Sequence, residues 1–504
     1  MNWQYVILWK LLPSINKTEG VFIMSNNDST QIALGPFRPV TKEQLLAQEK
    51  ILLSSQKKAY LEAFVNHYCA KTEKSKSRTE EYRDQYADQR AVSFFHLSLK
   101  NICYPLWNAS SSGAMITDID GNEYIDIAGD FGIGIFGHNP EFIRTALSQQ
   151  LSKGWSIGMR PEKAAIAASK LCEITGMERA VFSQSGTESV MSAVRFARHV
   201  SKKEKVVIFS TSYHGQSDGL LAFNAKVGNK NIAKPITSGT TAGAVKDLVI
   251  LEYCKEESLS TIKEMAGDLA AVVVEPVQSR NIRLNPGDFL RELRSITERA
   301  GIALVFDEMI TGFRLAPGGA QEYFQVKPDL ATYGKIIGGG LCLGAIAGKK
   351  EYLNAVDGGT WQYGDNSYPQ DERTFFAGTH CQNSLAMVAA DAVLSRIISK
   401  GPGFQKELNR VCENMCQKLN AIFRKYNVPM QAFYYGSLFR FEAVDKISPV
   451  DQSLFTYHLR DQGVMVSEVG NNFISEAHTP DHIKYIVNAV EQVIENLQSG
   501  GYLC

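Results

Sequence analysis

Three short runs constrain this chain more than anything else in it: "VVIFS" (206–210), "AAVVVEP" (270–276) and "IALVFDE" (302–308). Each is apolar until it meets Ser210, Glu275 or Asp307. A strand without polar alternation needs cover on both faces. Between such runs lie stretches with helical spacing, for example "GDFLRELRSITERA" (287–300). Alternating buried strands and helices predict an α/β fold, a large domain with a mainly parallel sheet covered by helices. Ligands in such sheets bind beyond the carboxyl ends of the strands, where Glu275 and Asp307 fall.

The chain of 504 residues has length for more than one domain. Residues 1–34 are expected to be disordered or to precede the true start, since "MSNNDSTQ" from Met24 has the character of an ordinary polar start. Residues 35–93 form a helical N-terminal extension, with Leu45, Leu46, Ile51, Leu52, Tyr60, Leu61, Phe64 and Val65 at helical spacing. Residues 94–155 open the main fold, and "GAMITDIDGNEYIDIAGDFG" predicts two strands around a turn at Asp120-Gly121-Asn122. The large ligand-binding domain is expected over 156–385. A smaller C-terminal α/β domain is expected over 386–504. It follows the helix "NSLAMVAADAVLSRIIS" and contains a helix near 404–425, the strand-like "GSLFRFEA" and a closing helix at 480–497.

Charge and cysteine usage narrow the function. Lys plus Arg equals Asp plus Glu, 53 each, so no net field favours nucleic acid or an anionic membrane. No apolar run is long enough to span a bilayer, and the start lacks a basic n-region and cleavage site. Nine cysteines occur without CxxC or zinc spacing; reduced thiols, a cytoplasmic location and no metal site are the expectation.

"GIGIFG" (132–137) matches G-x-G-x-x-G, and an NAD-dependent oxidoreductase would use Gly132, Gly134 and Gly137. The run leads into His138-Asn139-Pro140 instead of a helix and lacks the acidic residue that dinucleotide sites need downstream. Four other pieces carry more chemistry. Ser185-Gly186-Thr187-Glu188 has the capping-box pattern, and a helix opening on glycine lets an anion reach free N–H groups; an ordinary cap is the plain alternative. Tyr213 and His214 follow the strand at 206–209, where the aromatic could cover a planar ligand or simply pack at a rim. Asp307, between an apolar strand and Met309, requires a cation, either a protonated ring nitrogen or an internal arginine such as Arg314. Lys335, in "YGKIIGGG", sits in surroundings dry enough to lower its pKa and free the amine for Schiff-base chemistry; a surface lysine is the alternative.

In chain order, S-G-T-E, Y-H-G, E-P-V-Q (275–278), F-D-E-M-x-x-G-F-R, G-K-x-x-G-G-G and "FFAGTHCQNSLAM" (375–387) together resemble the class III aminotransferases, pyridoxal-phosphate enzymes of fold type I. The resemblance runs from about 94 to 500. It implies that Lys335 bonds covalently to the cofactor and moves the proton, and that Asp307 keeps the pyridine nitrogen protonated. Ser185, Gly186 and Thr187 would bind the phosphate, and Tyr213 would stack on the ring with His214 beside it. Glu275 and Gln278 would lie on its oxygen side, and Met309 on its other face. Thr379 would reach the neighbouring subunit's phosphate, which implies a homodimer.

Within the class, the chain is similar to glutamate-1-semialdehyde aminomutase and to the aminotransferase domains of mixed polyketide–nonribosomal peptide synthases. "SKSRTEEYRDQYADQRAVSFF", "DGGTWQYGDNSYPQDERTFFAGT" and "SEAHTPDHI" resemble that second group. The likeness implies transfer from an amino-acid donor to a β-keto acyl thioester held by an acyl carrier protein, in secondary metabolism. Its alternative is an aminomutase that moves the amine within one small amino-aldehyde. The chain departs from the family pattern at Gln184, Ser189 and Ser384.

Overall fold

The computed structural model describes residues 54–93, 95–227 and 230–503. The expectation for 1–34 lies outside the described residues, as do Leu45, Leu46, Ile51 and Leu52. From Ser54 the extension is helical, with α1 (Ser55–Lys71) and α2 (Glu73–Tyr82). The Ser54 hydroxyl caps α1 by accepting from Lys57 N–H. The helix buries Leu61, Phe64, Val65 and Tyr68, one stripe at helical spacing. Phe64 stacks on the His458 ring with centroids 3.8 Å apart, and the Tyr60 hydroxyl meets His458 Nε2 at 3.2 Å. These contacts fasten the extension to the C-terminal part of the chain.

The expected hairpin forms from β1 (Met115–Asp118) and β2 (Glu123–Asp126), paired antiparallel. The Asp118 carboxylate accepts from Asp120 N–H and Asn122 N–H, the Asx bonding that closes such a turn. After α3 (Glu162–Thr175) come β3 (Arg179–Ser183), α4 (Gly186–Ser201), β4 (Lys205–Phe209), β5 (Leu248–Leu251), β6 (Leu269–Val274), α5 (Gly287–Ala300), β7 (Ala303–Asp307), β8 (Leu330–Tyr333) and β9 (Gly344–Gly348).

These strands make a seven-stranded sheet in the order β3-β9-β8-β7-β6-β4-β5. All its pairings are parallel except those of β9, which runs against both neighbours. Each residue of β6 and β7 is buried, because the two faces feed different cores. Val206, Ile208, Val273 and Val305 pack with Val190, Ala193 and Phe196 of α4. Val207, Phe209, Val272, Leu304 and Phe306 point the other way, towards Leu290 and Leu293 of α5. Burying each such side chain stabilises the fold by about 1.5–3 kcal/mol, so neither face tolerates polar residues and the polar groups collect at the strand ends.

The remainder comprises α6 (Ser384–Lys400), α7 (Gly403–Lys425), the hairpin β10 (Met430–Tyr435) and β11 (Leu438–Ala443), α8 (Pro449–Asp461) and α9 (Pro480–Ser499). These match the helices and strand-like run expected after 383. The eight described cysteines are free thiols, and Cys412 and Cys416 lie buried one turn apart on α7. No helix among the described residues is long and apolar enough to cross a membrane.

Candidate active site

Because β3, β4, β6, β7 and β8 run the same way, their carboxyl ends open at one edge of the sheet. Register does the fine placement. Phe306 is level with Val274, so Asp307 and Glu275 leave the sheet side by side. On its other flank Asp307 pairs with Thr332, which leads through Tyr333 and Gly334 to Lys335. Tyr213 and His214 follow the end of β4, and Ser185 follows the end of β3.

Asp307 is buried, and its carboxylate accepts from His214 Nδ1 at 2.8 Å and from Met309 N–H at 3.2 Å. That bond sets the proton on Nδ1 and leaves the buried Nε2 of His214 without a partner among the described residues. Arg314, the internal alternative, turns away: it donates to Ser437 Oγ at 3.0 Å and Gly132 O at 2.7 Å, and burial pushes it down to about 9. Glu275 accepts from Tyr213 N–H at 2.9 Å and Ser279 N–H at 3.3 Å. Burial pushes its carboxyl above the usual range; His214 pulls it back and the Asp307 charge adds to the rise. Gln278 accepts from Thr211 Oγ1 at 2.8 Å and donates to Ser210 O at 2.8 Å, pinning the turn that precedes Tyr213.

Lys335 opens a short 3-10 turn, Lys335–Gly338, with φ at +49°. Burial holds its amine below the ordinary lysine range, Asp307 and Glu275 pull it up again, and Arg314 adds to the depression. The residue is thus no surface lysine. Met309 lies against two glycines, since a Cβ on either Gly186 or Gly334 would come within 2.7 Å of its Sδ. The stem of Met309 therefore joins the mouth of α4 to the approach of Lys335.

At the start of α4 the Ser185 hydroxyl accepts from Glu188 N–H at 3.3 Å, but the Glu188 carboxylate reaches Gln184 N–H at 2.8 Å. The expected reciprocal box is therefore open, and Gln184 is held by the acid that was to close it. Gly215, at φ +83°, backs onto this turn: a Cβ there would meet Thr187 Oγ1 at 2.5 Å. Thr187 Oγ1 accepts from Gln216 N–H at 3.2 Å. Ser189 and Ser384 are accommodated, the first paired with Ser183 Oγ at 2.7 Å and the second donating to Ser156 O at 3.0 Å. Thr379 is exposed on the single chain, just beyond Phe376, whose ring packs 5.7 Å from that of Phe196 on α4.

The glycines of 132–137 serve packing. A Cβ on Gly132 would touch the Phe473 ring at 3.0 Å, and one on Gly137 would meet Gly113 O and Ala477 Cβ at 2.6 Å. They open no helix onto a phosphate, so the dinucleotide reading has no site. Sequence reasoning missed Thr211, Gly215 and Arg280, whose guanidinium lies 5.0 Å from the centre of the Tyr213 ring. Gly215 was visible in Y-H-G; the other two show no local pattern. Asp126, Asp130 and His138 are grouped closely enough to hold a metal ion. The imidazole, however, bonds Asp126 at 2.8 Å and Asp130 at 3.2 Å. Burial alone would lower it, yet the two carboxylates raise it to about 10, so it is an imidazolium that donates through both nitrogens.

The donor set fits pyridoxal phosphate: an uncharged-prone amine for its aldehyde, a buried carboxylate for its ring nitrogen, and a glycine-opened helix start for its phosphate. The family model described as "Aminotransferase class-III" matches residues 100–493. A glutamate-1-semialdehyde 2,1-aminomutase of Acetivibrio thermocellus is 38% identical over 393 residues, covering 75% of this chain and 88% of that protein. The solved structure of an omega-transaminase from Sphaerobacter thermophilus has a TM-score of 0.75 at 26% identity, over 84% of this chain and 97% of its own. A transaminase with PLP bound gives 0.75 at 25% identity, over 85% and 99%. A matched family span from 100 to 493, together with this site at the sheet edge, makes the chain a member of the class-III aminotransferase family and a pyridoxal-phosphate-dependent enzyme.

Proposed function

We propose that the chain moves an amino group from an amino-acid substrate to a carbonyl carbon, with Lys335 as the covalent attachment and proton carrier. The observation that carries this reading is the half-buried, desolvated Lys335 amine in the field of Asp307, itself locked to His214. Bound pyridoxal phosphate supplies an aldehyde and an electron-withdrawing ring. Everything else belongs to the protein. Asp307 would keep a ring nitrogen protonated, because a carboxylate at that depth favours a cationic partner. His214 holds Asp307 in place through the 2.8 Å bond from its Nδ1. Lys335 takes and returns the proton at its own Nζ, which burial keeps ready to act as a base. Ser185, Gly186 and Thr187 bind the phosphate at the α4 dipole. Tyr213, Met309, Glu275 and Gln278 are the residues that would hold the ring when the cofactor is bound. Thr379 of a second copy completes the phosphate site, so the working form is a homodimer. Free thiols support a cytoplasmic location.

Intramolecular transfer, as in a glutamate-1-semialdehyde 2,1-aminomutase, is the reading that the curated likeness supports best. A second reading has its own observation: α1 and α2 precede the family match at residue 100, α1 packing against the C-terminal part of the chain and α2 against Trp107 and Asp120. This extension supports transfer to a larger acceptor, a β-keto acyl thioester on an acyl carrier protein in secondary metabolism. Borohydride reduction of the holoenzyme, followed by peptide mapping, is expected to mark Lys335; a mark elsewhere, or none, defeats the proposal. Semialdehyde isomerisation measured beside amination of a β-keto thioester separates the two readings.

A further inference from the structure

We propose that Arg280 is the anion anchor of the substrate pocket, its guanidinium binding the carboxylate of the amino-acid substrate. The inference rests on the proposed function, since both readings there use a substrate with a free carboxylate.

Arg280 lies midway along the loop that leaves β6 through Glu275 and Gln278 and runs on to α5 at Gly287. Its guanidinium carbon stands 5.0 Å from the centre of the Tyr213 ring, and Tyr213 is 45% exposed. A cation thus sits at the open mouth of the site, fixed against a rigid aromatic face. Its neighbouring carboxylates are occupied elsewhere. Glu275 directs its two oxygens at Tyr213 N–H and Ser279 N–H. Glu442 is taken by Arg440 at 2.7 Å and by Arg283 at 2.5 Å. Among the described residues, no carboxylate lies within ion-pair distance of Arg280.

Arg440 deepens the imbalance. It is held by Glu442, Asn471 Oδ1 at 2.6 Å and Ser279 O at 3.1 Å, so it cannot swing away. Burial pushes the Arg280 guanidinium below the ordinary arginine range, Glu275 and Tyr213 pull it back, and Arg440 lowers it further. A partly desolvated cation facing a second cation is costly until an anion arrives. The planar fork of arginine matches a carboxylate through two parallel hydrogen bonds, which a lysine cannot reproduce. Arg280 therefore sets specificity for acids over simple amines.

Calorimetric titration of the holoenzyme with glutarate and with its uncharged diamide, glutaramide, tests this without turnover. The unaltered enzyme is expected to bind glutarate at least about tenfold more tightly than the diamide. Arg280→Gln is expected to erase that preference, and Arg280→Lys to keep part of it. Equal binding of the two probes by the unaltered enzyme, or an unchanged preference in Arg280→Gln, overturns the assignment. Failure of the transfer chemistry would show separately, as an unmarked Lys335 after borohydride, while the glutarate comparison still decides for or against Arg280.

Discussion

Gly215 offers the sharpest test of how the proposed phosphate cradle is built. Gly215→Ala adds one methyl group at φ +83°, with Thr187 Oγ1 at 2.5 Å and Thr187 Cα at 2.8 Å. The backbone angle alone costs about 1–2 kcal/mol for an L side chain. The close contact adds about 1–3 kcal/mol, the usual range for overpacking. The hydroxyl can rotate, but the Cα cannot: relief to 3.4 Å, where ordinary contact begins, moves the Thr187 backbone by several tenths of an ångström. Gly121→Ala is the control, since Gly121 has φ +90° and nothing within 4 Å of the added methyl. It carries the angular cost without the crowding. Unfolding entropy for a chain of this length is on the order of 1 kcal/mol per degree, so Gly215→Ala should melt roughly 1–3 °C below Gly121→Ala. The larger effect falls on the cofactor. A displacement near the 0.5 Å tolerance of a positioned site is expected to raise the pyridoxal-phosphate dissociation constant about tenfold or more, with Gly121→Ala unchanged. Equal melting points together with equal cofactor affinity would refute the reasoning.

Further outcomes follow from the same geometry. Lys335→Ala should leave no borohydride-fixed cofactor and lower turnover by roughly 10⁴-fold, measured by peptide mass and product formation. Asp307→Asn preserves shape but removes the carboxylate that bonds His214 and is proposed to face the ring nitrogen; the loss in kcat/KM should be roughly 10²–10³-fold, and the variant should still bind cofactor. His458 is buried between Tyr60 and Phe64 and is pushed down to about 4, chiefly by burial, with Asp461 opposing and His67 adding. Its folded value lies below the free value of 6.5, so the stability gained by keeping it neutral is complete above pH 6.5 and is lost as pH falls towards 4. That gap is worth roughly 3 kcal/mol. Proteolysis within α1 should therefore accelerate between pH 6.5 and 4.5, and His458→Phe should flatten the dependence; a constant cutting rate in the unaltered enzyme counts against it.

Much of this site was legible because each piece carries its own local signature. An apolar run that ends on an acid declares a buried strand with a group at its tip, as at Asp307 and Glu275. A lysine among glycines and short apolar residues declares a dry pocket, as at 335. Helix lengths were legible too, since periodicity is local: 287–300 was expected and Gly287–Ala300 is found. The capping box was half right, because its first bond is set by three residues of spacing. Its second depends on where Gln184 points after leaving β3.

What the sequence alone determined is the alternation of strands and helices and the identity of the groups at the strand tips, because burial and periodicity act over a few neighbouring residues. What only the tertiary structure decided is who meets whom. His214 and not Arg314 partners Asp307, and Arg280 lies over Tyr213, because β4, β6 and β7 stand adjacent in the sheet although long stretches of chain separate them. Lateral strand order follows from packing the whole core at once, and no local pattern of residues encodes it.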